Sequence, residues 1–458
     1  ETSSETTKKT LLLMASYFFY GYWDWRFLSL ILINTLISYM AGKYIEYHSA
    51  NQKKQRFYLL LNIVTSLCIL GIFKYYNFFI DSLNIVFSLE ASPLSTLNII
   101  LPLGISFYTF QTLSYTIDIY RKKIHSSGIL DFSLFVVFFP QLVAGPIVRA
   151  SEFLPQLNNK IILTSGNFRA GLALFIIGFT KKSLLADSLS LFVDPVFNMP
   201  EIYDAITLVF ATMAYSLQIY FDFSGYSDMA IGIGLIMGFK FPQNFNYPYK
   251  SRNITEFWRR WHLSLSRWLR DYLYISLGGN RKGRYRTYFN LFTTMTLGGL
   301  WHGASMNFVI WGMLHGAALA AHKVYLSLTS FKPEDVADQA FTGLESVSSF
   351  LIQILSITVT YAFICLTWIL FRANSYDDTL NIFSQIFTWG SGIRWIHISF
   401  YFIVPMFLLW QLVPHNERIR SQVFTLENYR GFTACSLLVL LIILFSPTGL
   451  SPFIYFQF

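Results

Sequence analysis

Long apolar runs separated by short polar stretches dominate the pattern of this chain. They fall at 11–40, 57–80, 94–120, 131–148, 168–197, 204–222, 227–241, 287–322, 349–371, 397–413 and 432–457. The runs are continuous and rich in Leu, Ile and Phe rather than alternating, which predicts helices and not the strands of a transmembrane barrel. Several lie near the lower limit of about 17 residues for a span, so the pattern predicts about ten transmembrane helices plus re-entrant and interfacial pieces. No self-similar period is visible, so nothing points to an inverted-repeat transporter. Residues 1–10 read as a polar tail without the layout of a signal peptide, and the first residue is Glu rather than Met, which suggests a missing N-terminal piece. Residues 11–458 read as one membrane domain.

Composition narrows the class. The chain of 458 residues is 54% hydrophobic and 19% aromatic but only 13% charged, about half the charge of a typical soluble domain. A soluble, disordered or disulfide-stapled protein is excluded, and an all-α polytopic membrane protein remains. The net charge of +9 is unevenly placed: residues 250–286 hold ten basic residues against Glu256 and Asp271. In a membrane protein such a stretch marks a cytoplasmic loop rather than a nucleic-acid surface. Residues 328–348 form the acidic counterpart, which reads as a loop on one side of the membrane or the other. Cys68, Cys365 and Cys435 sit far apart inside apolar runs, which predicts buried packing residues and no metal set.

Within the basic stretch, residues 253–274 read as one amphipathic helix with Asn253 or Thr255 as its N-cap. At 100° per residue Trp258, Trp261, Leu265, Trp268 and Tyr272 share one face and Arg259, Arg260, Arg267 and Arg270 the other. Glu256 to Arg260 and Arg267 to Asp271 are four-apart pairs. The pattern predicts a helix lying in the membrane interface and anchored by its tryptophans. His262 falls at the border of the two faces, next to Ser266 one turn on. It reads either as a boundary histidine bonded to a neighbour or as a functional group. The arginines suit lipid phosphates or a phosphorylated cofactor equally well.

Residues 287–322 contain no Asp, Glu, Lys or Arg. As one helix they would be about 54 Å long against a hydrocarbon core of about 30 Å, so this run must bend or break. Gly298-Gly299-Leu300-Trp301-His302-Gly303 is the expected place. His302 then lies about 24 Å of helix rise beyond Arg286, and an ionisable group at a break at that depth is a functional-site candidate. The alternative is a neutral histidine bridging two helices. His315 and His322 share a helical face but lack a neighbouring carboxylate, so a zinc site is not expected.

Two further places break the apolar pattern. Asp222, Ser224, Tyr226 and Asp228 insert polar groups into an apolar run, with Gly225 as a possible break. The two aspartates fall on opposite faces of a continuous helix, so they do not read as an acid-base dyad. They either line a hydrophilic tunnel, orient a histidine or hydrogen-bond between helices. Asp118, Arg121 and the segment from Pro140 to Pro146 are weaker signals, the last suggesting a broken or re-entrant helix. No serine elbow, phosphate loop or HExxH motif is present.

The motifs FDFSGYSDMAIGIGLIMGF (221–239), FPQNFNYPY (241–249), EFWRRWHLSLSRWLRDYLYISLGGNR (256–281) and GGLWHG (298–303) occur in order. Together they closely resemble the membrane-bound O-acyltransferase family, and within it the bacterial alginate O-acetyltransferase subgroup. LPLGISFYTFQTLSYTIDIYR (101–121) and FFPQLVAGPIVR (138–149) fit the same subgroup, so the resemblance covers nearly the whole chain. Relatives in the subgroup usually carry another apolar segment before the part like residues 16–27, which leaves the orientation of the N-terminus open.

The resemblance implies a helical ring whose cytoplasmic and extracytoplasmic recesses meet at a central tunnel. The family's near-invariant histidine falls on His302, and a second position that is Asn, Asp or His in different members falls on His262. Both are expected to be catalytic. Trp301, Asp222, Ser224, Tyr226, Asp228, Gln243, Asn244, Arg259, Arg260 and Ser266 are candidates for substrate binding. The implied reaction takes acetyl from cytoplasmic acetyl-coenzyme A, with no metal or permanently bound cofactor. It serves O-acetylation of an extracytoplasmic polysaccharide, alginate-like first and peptidoglycan or cellulose next. An SGNH-type extracytoplasmic protein is the implied partner, the surroundings are membrane lipids, and the implied location is the bacterial inner membrane. A non-enzymatic export conduit for a polymer or lipid-linked sugar would share the composition, and a longer-chain acyltransferase would share the motifs.

Overall fold

The computed structural model describes residues 4–89, 94–142, 145–329, 347–412, 426, 428–448 and 452–454. The described residues form nineteen α-helices, joined by short 3-10 and π-helical turns, and among them there is no strand beyond an isolated bridge between Tyr203 and Ile393. Four helical stretches are long and apolar enough to cross a membrane by length and composition: Trp25–Tyr47, Gln52–Val86, Ala205–Ile236 and Phe350–Arg372. Shorter apolar helices are Ile398–Leu409 and Tyr429–Phe445. Their outer faces expose large apolar side chains, such as Leu351, Leu355, Leu408 and Ile443, as surfaces meant for hydrocarbon do.

The chain divides into two compact units. The first comprises 1–172 and 230–242. It holds α1 (Glu5–Trp23), α2 (Leu28–Tyr47), α3 (Gln52–Leu70), α4 (Tyr76–Val86), α5 (Ile105–Tyr120), α6 (Ile129–Val137), α7 (Phe139–Leu142) and α8 (Ala150–Asn158). α2, α3 and α5 are joined by buried polar contacts. Ser38 Oγ donates to Asn62 Oδ1 at 3.0 Å, and Asn62 Nδ2 donates to Thr116 Oγ1 at 3.0 Å. Between apolar helices such bonds substitute for the missing hydrophobic drive.

The second unit comprises 173–229 and 243–458. Its helices are α10 (Asp187–Asn198), α12 (Ile254–Trp258), α13 (Leu263–Trp268), α14 (Arg284–His302), α15 (Met306–Thr329), α16 (Val347–Arg372), α17 (Tyr376–Phe387), α18 (Ile398–Leu412) and α19 (Tyr429–Phe445). Two helices belong partly to each unit, α9 (Ser165–Phe179) and α11 (Ala205–Ile236).

Several boundaries differ from the sequence expectation. The run 11–40 is two helices, parted where the Asp24 side chain caps a turn at Arg26. The polar start is helical from Glu5, capped by Ser4. The run 94–120 is helical only from Ile105, after the left-handed Gly104. The runs 204–222 and 227–241 merge into α11, so Gly225 does not break a helix. It serves close approach instead: a Cβ there would stand 2.6 Å from the Gly178 carbonyl oxygen. Cys365 and Cys435 are buried, but Cys68 is exposed on α3, because the exposed face of a membrane helix is as apolar as its buried one. The acidic segment 328–348 lies largely outside the described residues.

Candidate active site

The uncharged run folds as a hairpin of α14 and α15, with the break at Gly303–Ser305, the far end of the glycine-rich stretch. The glycines before it stay helical and let the two helices touch. A Cβ on Gly299 would lie 2.2 Å from the Phe308 carbonyl oxygen, and one on Gly312 would lie 2.4 Å from that of Met295. His302 is therefore the last residue of α14, delivered by close packing to a buried position. Its ring meets Trp301 at 5.0 Å, Trp311 at 5.2 Å and Phe371 of α16 at 5.2 Å.

His262 is seated by a different device. The expected amphipathic helix is not continuous: α12 ends at Trp258, α13 starts at Leu263, and a π-helical turn follows over Leu269–Tyr274. At the break His262 has φ 43°, ψ 56°, a left-handed conformation that Asn, Asp and His adopt more readily than other residues with side chains. Those are the three residue types the resemblance implies at this position. Asn244 pins the turn. Its carbonyl accepts from Leu263 N at 2.9 Å, and its side-chain oxygen accepts from Ser264 Oγ at 2.6 Å. Its amide donates to Ser227 Oγ on α11 at 3.0 Å. Asn246 N donates to the Arg260 carbonyl at 2.9 Å, so the segment 244–246 braces both sides of the histidine.

The His262 ring is fully buried and meets Phe223 edge-on at 4.6 Å and Trp301 at 6.3 Å. Trp301 thus touches both candidate histidines. Burial lowers the His262 pKa to about 3, which keeps the imidazole neutral at physiological pH. The neighbouring tryptophans correct the sequence reading: Trp258, Trp261 and Trp268 are buried rather than anchored in the membrane interface. They share the predicted face, but that face packs on protein. Trp258 Nε1 donates to His315 Nδ1 at 3.2 Å, and His315 Nε2 bonds Thr367 Oγ1 at 3.0 Å. His322 bonds Thr255 at 2.8 Å. Among the described residues no group of His, Cys, Asp and Glu could hold a metal ion.

The remaining candidates separate. Asn253 caps α12 through the Glu256 amide. Glu256 pairs with Arg260 at 2.9 Å and Arg252 at 3.2 Å. Burial raises the Glu256 pKa, but the two arginines outweigh it and hold the carboxyl below its usual value. Arg260 is thus engaged, whereas Arg259 is exposed and makes no ion pair among the described residues. The expected Arg267–Asp271 pair is replaced by Arg270–Asp271 at 2.6 Å, because the π-helical turn shifts the register. Gln243 donates to the Phe245 carbonyl at 2.6 Å and Ser266 Oγ to that of Trp261 at 3.3 Å, both local contacts. Asp118 pairs with Lys123 at 3.6 Å in the first unit.

Among the described residues Asp222 and Asp228 bond neither each other nor a histidine. Gly178 and Gly225 bring α11 against the π-helical turn Thr180–Ala186, and two consecutive lysines reach past the contact. Lys182 Nζ lies 2.6 Å from Asp222 Oδ1 and Lys181 Nζ 2.6 Å from Asp228 Oδ2. Ser224 is buried beside them, and Tyr226 packs edge-on against Phe453 at 4.5 Å. The sequence reading missed this pairing. Its available signal was two adjacent lysines inside an apolar run, which need anionic partners at that depth.

A match to the sequence profile of the membrane-bound O-acyltransferase family spans residues 17–364. The chain belongs to that family. Among its relatives, the probable alginate O-acetylase AlgI of Pseudomonas aeruginosa is 43% identical over 85% of this chain and 71% of its own length. That of Pseudomonas putida is 39% identical over 100% of this chain and 96% of its own. A peptidoglycan O-acetyltransferase of Helicobacter pylori is 38% identical over 85% and 76% respectively. This member of the membrane-bound O-acyltransferase family is accordingly an O-acyltransferase embedded in a membrane.

Proposed function

We propose that the protein transfers acetyl from cytoplasmic acetyl-coenzyme A to an acceptor hydroxyl reached from the opposite face of a bacterial inner membrane. In this reading a cytoplasmic and an extracytoplasmic recess meet beside the histidines, as the family resemblance implies. His302 is the general base: its imidazole takes the hydroxyl proton as the oxygen attacks the thioester carbonyl. The carbon–sulfur bond breaks, and the imidazolium returns the proton to the departing thiolate. His262, neutral and fixed by Asn244, polarises the carbonyl or orients His302, and the Trp301 ring holds the two at a set spacing. A thioester is already activated, so positioning and support of the oxyanion suffice. Arg259, exposed and without an ion pair among the described residues, is the candidate contact for coenzyme A phosphates.

The relatives' names extend the reading to the product, O-acetylation of a polysaccharide, alginate or peptidoglycan in kind; the proposed relay, an extracytoplasmic SGNH-type protein, rests on the family resemblance alone. The observation that supports acyl transfer most directly is Trp301 in ring contact with both histidines at the end of α14. The test is His302→Ala in membranes supplied with labelled acetyl-coenzyme A. Loss of general base catalysis lowers transfer by about 10²–10⁴-fold, whereas transfer at the wild-type rate rejects the assignment. Competing acyl-coenzyme A chain lengths in the same assay identify the donor, with acetyl preferred.

A further inference from the structure

Trp311 of α15 stands against His302, on the side of the basic loop. A Cβ on Gly299 would lie 3.0 Å from Gly312 N, so this part of α15 is level with α14 three residues before His302, about 4.5 Å of helix rise. α14 starts at Arg284 in the basic stretch and ends at His302, so that level is the one nearer the loop. Side chains lean towards the N-terminus of their own helix, which for α15 is the end next to His302. The Trp311 ring accordingly meets the His302 ring at 5.2 Å and 87°.

Trp311 is 1% exposed, and its Nε1 makes no hydrogen bond among the described residues. Its neighbours give the reason. Trp258 at 5.8 Å, Trp368 at 6.0 Å and Phe371 at 5.4 Å offer no acceptor nitrogen. His315 at 4.5 Å has one, and it is already used. His315 Nδ1 accepts from Trp258 Nε1 at 3.2 Å, which puts the proton of the neutral ring on Nε2, the atom that donates to Thr367 Oγ1 at 3.0 Å. Thr367 donates in turn to the Ile364 carbonyl at 2.9 Å. This closed chain fixes the His315 ring beside Trp311 and leaves it no acceptor for the indole.

A buried donor without an acceptor costs stability, and an acceptor brought by the substrate removes that cost. Acyl transfer at His302 brings one. The acceptor oxygen bonds to the carbonyl carbon, its proton passes to His302, and the carbonyl π pair moves onto the carbonyl oxygen. The pair then returns, the carbon–sulfur bond breaks, and the proton goes to the departing thiolate. A hydroxyl about 3 Å from an imidazole nitrogen and about 3 Å from the carbon it attacks puts that carbonyl about 5 Å from the histidine, a distance like the one between the two rings. An N–H already fixed there supports the transient negative charge without reorganising, and most strongly where water is excluded.

We infer that Trp311 is a further catalytic residue, whose indole N–H donates to the carbonyl oxygen of the acyl donor and to the oxyanion that forms as His302 takes the acceptor's proton. This assignment rests on the acetyl-transfer reading and adds a group to the same reaction. An oxyanion accepts from more than one donor, so Trp311 complements His262 rather than replacing it. His315, held by its two hydrogen bonds, is a positioning residue for the indole.

The test uses the full chain in lipid nanodiscs and Trp311→Phe, which keeps an aromatic ring and removes the donor. Transfer from labelled acetyl-coenzyme A is expected to lose about 10²–10³-fold in kcat, with KM within threefold of the wild type and an unchanged Tm. Should the smaller ring lower Tm, benzothienylalanine at the same position keeps the bicycle with sulfur in place of N–H. The second measurement needs no turnover: the infrared carbonyl stretch of carbon-13-labelled acetyl-coenzyme A, bound without an acceptor. Its frequency should fall on binding to the wild type and stay at the solution value in the variant. A stretch that is the same in both proteins overturns the inference, as does a kcat within threefold of the wild type, because the N–H then faces a neighbouring ring instead of the substrate. So does a kcat that only follows the fraction of folded protein in both variants. A stretch that depends on Trp311 in a protein without His302-dependent transfer rejects the general-base reading alone.

Discussion

His302 and His262 both contact Trp301, yet different forces hold them there. His302 is delivered by two apolar helices packed at glycine contacts without any charged residue in the run 287–322. His262 sits on a left-handed turn fixed by the carbonyl, amide and side-chain oxygen of Asn244. The first seat depends on volume and tolerates no added atoms at the contact. The second depends on hydrogen bonds and tolerates changes of volume better than loss of an acceptor. Within a membrane the first strategy needs no polar partner, whereas an irregular turn must find one for every backbone group.

Gly299→Val tests the packed seat and carries the largest expected effect. Its Cβ meets backbone at 2.2 Å, so the hairpin must separate, at a cost of about 3 kcal/mol or more. Gly298→Ala is the contrast, since its Cβ meets only the end of the Leu269 side chain at 3.1 Å. Thermal unfolding and the yield of folded protein in detergent should collapse for the first and barely move for the second. Equal melting of both variants would remove the volume argument.

Asn244→Ala tests the hydrogen-bonded seat and should cost less stability, about 1–3 kcal/mol. It should still lower kcat by about 10–100-fold, since small misplacements of a catalytic group have such effects. Asn244→Asp retains the acceptor for Ser264 but loses the donor to Ser227 and should fall between. A kcat that tracks only the fraction of folded protein would show that the turn does not position His262.

The smallest effect is one of pH. The folded pKa of His262 is lowered by burial from 6.5 to about 3, so below pH 6.5 the unfolded chain binds the proton that the folded one refuses. The stability gained from keeping this histidine neutral is present above that value and is lost as pH falls towards 3. Thermal midpoints between pH 5 and 8 should therefore drop on the acidic side, and less steeply for His262→Asn. Parallel profiles for the two proteins would mean that another group carries the dependence.

Much of the site was legible in the chain. The charge-free run was too long for one helix, so a break near GGLWHG followed from bilayer thickness, and the structure moves it only to Gly303–Ser305. The face of Trp258, Trp261 and Trp268 also followed from periodicity, but its partner did not. Period alone cannot tell a face buried in lipid from one buried in protein, because both solvents are apolar. Gly225 misled for a related reason: low helix propensity is the same whether the residue ends a helix or admits a neighbour's backbone.

What the sequence determined by itself was the class of molecule, its family, and the two histidines that stand out against an apolar background. Those follow from local composition, from helical period and from motifs that occur in order along the chain. Tertiary structure decided that Trp301 contacts both histidines, that Asn244 holds the turn, and that Lys181 and Lys182 answer Asp228 and Asp222. Those contacts join residues tens of positions apart, and their geometry depends on where glycines let helices meet and where π-helical turns shift the register. Neither is fixed by the residues on one side of the contact.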